Sequence, residues 1–153
     1  MSGEDNLLKL VEADLADEHD YHLQEQVGFI LRKAHQRHVS IFAARIADLT
    51  PPQFAALAKL HDVGQTSQNQ LGSLIAMDAA TVKGVIDRLK ARGLVELSNH
   101  GSDRRRRVVS LTAAGRATVE ALLPLGGAVS DETLAPLNPR EAATLLKLLA
   151  RLT

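Results

Sequence analysis

Apolar residues recur every three or four positions through most of this chain, and the residues that interrupt the pattern are helix caps. Val82, Val85, Ile86 and Leu89 form one helical stripe behind Asp78. Asp78 suits an N-cap, because its carboxylate can accept from the free N–H groups of a first turn. Gly93 suits the left-handed position that closes a helix. Thr81, Lys83, Gly84, Asp87 and Arg88 lie off the stripe. A shorter helix is predicted from Thr66 or Ser67, with Ser67 and Gln70 as a capping box and Leu71, Leu74 and Ile75 as its buried face. Ala76 and Met77 alone separate that helix from Asp78. Two helices joined so tightly, the second showing Thr and Lys near its start, predict a helix-turn-helix. The period then changes. Leu94–Leu97 and Val108–Leu111 read as strands, with turn chemistry at Asn99–Ser102, in a two-stranded ribbon. Asp103 and four arginines, Arg104, Arg105, Arg106 and Arg107, stand between the turn and the returning strand. A hairpin after a helix-turn-helix is a wing, and its arginines suit a narrow, electronegative minor groove.

The flanks are helical. A long helix is predicted from about Asp20 to Asp48, with Leu23, Val27, Ile30, Leu31, Ala34, Ile41 and Ile46 on its apolar side. Thr50-Pro51-Pro52-Gln53 is a capping box with proline at the first helical position, and Gly64 stops the helix it opens. Thr112 caps the helix after the wing. Pro124 is expected to kink that helix and Gly126-Gly127 to weaken it. Asn138-Pro139-Arg140-Glu141 is a second capping box, leading into Leu145, Leu146, Leu148, Leu149 and Leu152. Residues 4–16 form a short amphipathic segment. A small winged domain cannot cover all the leucines of the last helix, so the terminal segments predict a dimer interface.

Composition narrows the class. The chain has 153 residues and 45% hydrophobic content, enough for one folded domain. It holds no cysteine, which excludes disulfides, thiolate metal ligands and thiol catalysis. No apolar run has membrane-spanning length and no signal peptide begins it, so a cytoplasmic protein is expected. Net charge is zero, but unevenly spread. Residues 1–25 carry eight acids and one lysine, whereas 83–107 carry eight bases and three acids. The local field at a contact surface matters more than the sum.

With these residues in place, the chain resembles the MarR family of winged-helix transcription regulators. The likeness rests on Asp78, Thr81-Val82, Asp87-Arg88-Leu89, Gly93-Leu94-Val95-Glu96, Asp103-Arg104-Arg105 and Ser110-Leu111-Thr112 with Gly115. By element order it extends from about Glu25 to Leu152. The resemblance implies a mainly α fold with a small β wing: a winged helix-turn-helix over 50–112, with dimerisation helices in 1–48 and 113–153, all in one domain of 1–153. It implies that Asp103 holds Arg105 for the minor groove, and that two subunits straddle double-stranded DNA carrying an inverted repeat. Thr81, Lys83 and Arg88 are expected at the groove or its phosphates, beside Arg104, Arg106 and Arg107. Ala80 and Gly84 stand where the family commonly has a polar residue and an arginine, and Leu97 and Ser98 where it commonly has arginines. The absence of cysteine excludes the thiol-based peroxide sensing of some relatives.

The resemblance also implies a small-ligand site where the first long helix meets the winged part. Arg32, His35, Arg37 and His38 fall there and favour an anion through charge-assisted hydrogen bonds. The stretch is similar to regulators of aromatic-acid and hydroxycinnamate breakdown, which implies an aromatic carboxylate or an aryl-CoA thioester as effector of a repressor. Alternatives remain at this level. His19 with His22, and His35 with His38, have the three-residue spacing that lets two imidazoles share a helical face, as in a metal-sensing repressor, but zinc needs three or four ligands. A winged-helix interaction module without DNA contact is the other. No phosphate loop, nucleophile elbow or acid–base pair marks an enzyme, and no cofactor is expected.

Overall fold

The structure is a computed structural model that describes residues 20–100 and 103–153, apart from the side chains of His100 and Asp103–Arg106. The predicted segment 4–16, His19 and the turn residues Gly101-Ser102 lie outside the described residues. The chain forms two compact units, one ending at Gln36 and the other spanning Arg37–Thr153.

In the first unit a 3-10 turn at Leu23–Glu25 precedes helix α1, Val27–Arg45, which continues into the second unit. The expected helix from Asp20 is therefore shorter at both ends. Gln26 is extended, with ψ 134°, and its side-chain amide donates to the His22 carbonyl, so backbone pairing starts afresh at Val27. At the other end Ile46 and Leu49 drop into the core and Pro51 follows Thr50. Proline disfavours helical geometry in the residue before it. Arg32 and His35 are exposed on α1, and the Lys33 ammonium lies 5.6 Å from the Phe29 ring centre.

The second unit continues with α2 (Pro51–Val63), β1 (Gln65–Ser67), α3 (Gln68–Leu74), α4 (Ala79–Ala91), β2 (Val95–His100), β3 (Asp103–Leu111), α5 (Ala113–Leu134) and α6 (Pro139–Ala150). Both predicted capping boxes form, at Thr50/Gln53 and at Asn138/Glu141. The sheet is antiparallel in the order β1-β3-β2, with Thr66 opposite Val109 and Leu97 opposite Val109 on the other side. It has three strands rather than two. Gln65–Ser67 is too short to show alternation, and its three polar residues carry no apolar signal. This also corrects the start of α3: Ser67 caps it by accepting from the Gln70 N–H, but the Gln70 side chain takes the Thr66 hydroxyl instead of completing a box. β2 runs on to His100, through the expected turn residues, with an irregularity at Asn99/His100.

The core gathers Ile46, Leu57, Leu71, Ile86, Leu89, Val109 and Val119, each 2% exposed or less. Every helix from α2 to α5 contributes buried apolar residues, and α2 packs against both helices of the helix-turn-helix and against α5. α5 passes through Pro124 as one helix. Gly126 serves close packing there, since a Cβ would sit 2.7 Å from the Phe54 ring. Leu146 and Leu148 of α6 are half exposed, in keeping with leucines that one winged domain does not cover. Among the described residues no helix is long and apolar enough to cross a membrane.

Candidate nucleic-acid interface and a small cavity

The turn of the helix-turn-helix is built from small residues. Gly72 lies where a Cβ would press within 2.9 Å of the Met77 carbonyl and 3.2 Å of Val82, so its bareness lets α3 and α4 close up. Ala76 takes the left-handed conformation, φ 57°, that turns the chain between them. Asp78 then caps α4, its Oδ1 accepting from the Thr81 N–H at 2.7 Å. That backbone hydrogen bond holds the Asp78 carboxyl below its ordinary 3.8.

The predicted stripe is the buried one: Val82, Val85, Ile86 and Leu89 face the core. Thr81, Lys83 and Arg88 stand on the exposed side of α4 together with Ala79 and Ala80. Lys83 pairs with Asp87 at 2.7 Å within the helix. Among the described residues Arg88 makes no ion pair, and its guanidinium reaches back toward Gly84, where an added Cβ would lie 4.0 Å from it, an ordinary contact. The wing hairpin follows as expected. Arg107 is exposed on β3; Asp103, Arg104, Arg105 and Arg106 fall on the same strand, with side chains outside the described set.

The end of α4 is tied on two sides. Thr112, which caps α5, donates its hydroxyl to the Gly93 carbonyl at 2.6 Å and its N–H to the Leu94 carbonyl. A Cβ at Gly115 would run into that Leu94 carbonyl, so α5 seats directly on the strand leaving α4. On the other side, Arg92 donates to the Asp48 carbonyl at 2.6 Å. Sequence reading passed over this contact, because a lone arginine before a glycine shows no partner.

The basic run of α1 behaves differently. Both terminal nitrogens of Arg37 donate to main-chain carbonyls at the end of α5, to Thr133 at 2.7 Å and Glu132 at 2.9 Å. Both belong to the last turn of α5, where carbonyls lack their usual helical partners, although that of Glu132 also accepts from the Ala135 N–H at 3.3 Å. Arg45 pairs with the Glu132 carboxylate at 2.6 Å. His38 is half-buried, with Nδ1 at 2.9 Å from the Thr133 hydroxyl. That hydroxyl already donates to the Val129 carbonyl at 2.8 Å. Its proton is therefore committed, so His38 Nδ1 is the donor, and neutral His38 keeps Nε2 as an acceptor. The structure thus joins Arg37 and His38 at one helix end.

Beside them is a cavity of about 170 Å³ lined by His38, Phe42, Pro51, Phe54, Gly126, Val129 and Ser130. Phe42 and Phe54, which both line it, meet edge to face, with ring centres 5.8 Å apart. Its α5 wall was not anticipated from the sequence, although Gly126 inside an apolar helix signals close approach. Among the described residues no three histidines or carboxylates gather as metal ligands would.

Comparison with known proteins places this geometry. The MarR family model matches residues 49–106. The transcriptional repressor NicR of Pseudomonas putida is 42% identical over 138 residues, covering 89% of this chain and 87% of NicR. A crystal structure of a probable transcriptional regulator from Pseudomonas aeruginosa is 50% identical, with a TM-score of 0.82 over 86% of this chain and 100% of that one. The structure of Bordetella bronchiseptica BpsR, a protein whose DNA binding is regulated by 6-hydroxynicotinic acid, is 44% identical, with a TM-score of 0.82 over 86% of this chain and 96% of its own.

Proposed function

Since the chain belongs to the MarR family and is a ligand-responsive DNA-binding repressor, we propose that a single-ring aromatic acid, seated in the cavity beside His38, is what releases it from its operator. The observation that carries this reading is the cavity itself. An enclosed apolar cavity of about 150 Å³ holds a benzene ring, so 170 Å³ lined by two phenylalanines, a proline and a valine, with His38 and Ser130 beside them, has the size of one substituted ring. A CoA thioester would have to leave its nucleotide outside. Neutral His38 offers an acceptor at Nε2, which matches a ring hydroxyl or a ring N–H. A hydroxylated pyridine or benzene carboxylate has that donor, and the ligand of BpsR is of this kind. Arg37 is a weak candidate for the carboxylate, with both terminal nitrogens engaged, and Arg32 and His35 are exposed basic residues of the unit that ends at Gln36.

In this reading the protein is a cytoplasmic homodimer, paired through its terminal helices, which works by binding rather than catalysis. The winged part, 50–112, lies on double-stranded DNA with an inverted repeat, its half-sites about 10 bp apart or a multiple of that. Thr81, Lys83 and Arg88 meet the major groove or its phosphates. Arg105, positioned by Asp103, enters the minor groove, and Arg104, Arg106 and Arg107 meet phosphates.

Release requires that the acid bind the two conformations unequally. Fluorescence anisotropy on DNA upstream of the gene, with and without 6-hydroxynicotinic acid, tests it. A loss of DNA affinity of about 5–150-fold is expected, with a weaker effect from nicotinic or benzoic acid, which lack the hydroxyl. If no hydroxylated single-ring acid altered DNA binding at millimolar concentration, the effector class would be wrong.

A further inference from the structure

We infer that Arg92 is a positioning residue that transmits occupancy of the cavity to the recognition helix α4, an inference that rests on the cavity being the effector site. Arg92 is the first residue beyond α4, and its Nη1 donates to the Asp48 carbonyl, 44 residues away in sequence. Asp48 lies in the short loop from α1 to α2, and both ends of that loop are cavity wall. Phe42 precedes it in the last turn of α1; Pro51 and Phe54 follow in the first turn of α2. Ile46, 2% exposed, and Leu49, 5% exposed, lock the loop into the core, so it cannot move apart from the two helices it joins. A ring that enters this cavity and presses on Phe42, Pro51 or Phe54 would displace the loop that joins them, and the Asp48 carbonyl with it.

The opposite side of the same helix end is held by Thr112 on Gly93, and Thr112 opens α5, which reaches the cavity again at Gly126, Val129 and Ser130. The end of α4 is therefore braced by two struts, each running to a different wall of the cavity. They differ in kind. The Thr112 strut is a helix cap backed by the tight Gly115 seat. The Arg92 strut is an exposed side chain on a main-chain carbonyl, and it can be made or broken without opening the core. A displacement on the Asp48 side alone would tilt α4 about the Thr112 side. That changes how two recognition helices in a dimer match fixed half-sites. The bond is to a carbonyl, so it depends on the arginine and not on the aspartate side chain.

The test is a double-mutant cycle in the full chain that needs no effector. Gly126→Ala adds a methyl that meets the Phe54 ring at 2.7 Å, a wedge built into the cavity. Operator affinity is measured by anisotropy for wild type, Gly126→Ala, Arg92→Ala and the double variant, with melting curves confirming that each is folded. The wedge should weaken operator binding severalfold when Arg92 is present and by less than about twofold when it is absent, a departure from additivity expected only of coupled sites. Arg92→Lys should restore part of the wedge's effect. Equal effects in both backgrounds, or no effect of the wedge with Arg92 present, would overturn the inference. So would a salt slope lowered by about 1 in Arg92→Ala, since that marks a phosphate contact. A parallel titration with 6-hydroxynicotinic acid separates the two ideas. If the acid leaves wild type on its operator while the cycle shows coupling, the effector assignment fails and the strut stands. If the acid releases wild type and Arg92→Ala equally, with additive cycle energies, the strut fails and the effector site stands.

Discussion

Two basic regions of this molecule look alike as sequence and use their charge in opposite ways. On α4 the cations face solvent: Arg88 makes no ion pair among the described residues, and Lys83 pairs only with Asp87 of its own helix. On the second half of α1 the cations are spent internally. Arg37 covers the carbonyls at the end of α5, Arg45 takes the Glu132 carboxylate, and His38 is fixed by Thr133. What separates them is whether folding supplies an acceptor. Asp78 and the apolar stripe turn the polar side of α4 to solvent among the described residues. The end of α5 arrives beside Arg37 from about 95 residues away with last-turn carbonyls that still have room to accept. The first arrangement leaves charge for an outside partner; the second turns charge into a fixed cavity wall.

The sharpest way to break this comparison is to remove one arginine from each region. Arg105→Ala should weaken operator binding by about 1–3 kcal/mol, as the loss of a specific contact does, while urea denaturation stays near wild type. Arg37→Ala should do the reverse. Operator affinity without effector should hold, and stability should fall by about 0.5–1.5 kcal/mol for the lost carbonyl bonds, at the low end because Arg37 is exposed. A folded Arg37→Ala protein that lost its operator would place the α1 cations at the DNA and remove the distinction.

The contrast also shows what sequence could carry. The buried side of α4 was legible because Val82, Val85, Ile86 and Leu89 repeat at helical spacing, and the caps at Thr50, Asp78, Thr112 and Asn138 were legible because each is a local bond within four residues. The strand Gln65–Ser67 was not, since β3 makes it a strand, not its own pattern. The roles of Arg37 and Arg92 were not legible either. Each depends on a main-chain carbonyl, which every residue possesses, brought near by tertiary packing. The packing role of Gly126 was hidden for the same reason: a glycine signals a weaker helix, and only the fold brings the Phe54 ring to within 2.7 Å of where a Cβ would sit. The family resemblance reached the wing and the recognition helix because their motif is local, and it reached the cavity only as an expectation about a region.

A smaller effect sharpens the DNA side through acid pH. The Asp78 carboxyl titrates below its ordinary value because the folded state offers it the Thr81 N–H. A depressed folded pKa means stability that is fully present above the unfolded value of about 3.8 and is lost as pH falls through the folded one. Asp78→Asn keeps a side-chain acceptor for the cap but cannot titrate. The wild-type advantage over this variant should therefore be constant near neutrality and shrink as pH falls below the unfolded value of about 3.8, read from urea midpoints. A gap that stayed constant down to pH 2 would mean that the charge on Asp78 does nothing for the start of α4.

The smallest expected effect concerns Lys83, whose charge is exposed and still partnered. Its ammonium lies 2.7 Å from the Asp87 carboxylate, with the two side chains 65% and 53% exposed. The lysine precedes the acid by one turn, the less favourable order for such a pair, and both are screened by salt. Breaking the pair should cost less than about 0.5 kcal/mol, so Lys83→Ala should melt close to wild type. That weakness lets Lys83 turn from Asp87 to a DNA phosphate at little cost. Lys83→Ala should then lower the salt slope of DNA binding by about 1 and weaken operator and scrambled DNA alike. Asp87→Asn should act in the opposite sense, tightening both at low salt and converging with wild type as salt rises, because it removes a competitor for Lys83 and a negative charge facing the phosphates. An effect of Lys83→Ala confined to the operator would show that Lys83 reads a base edge. In that case the exposed side of α4 would carry sequence information at a position that its pairing with Asp87 marks as purely electrostatic.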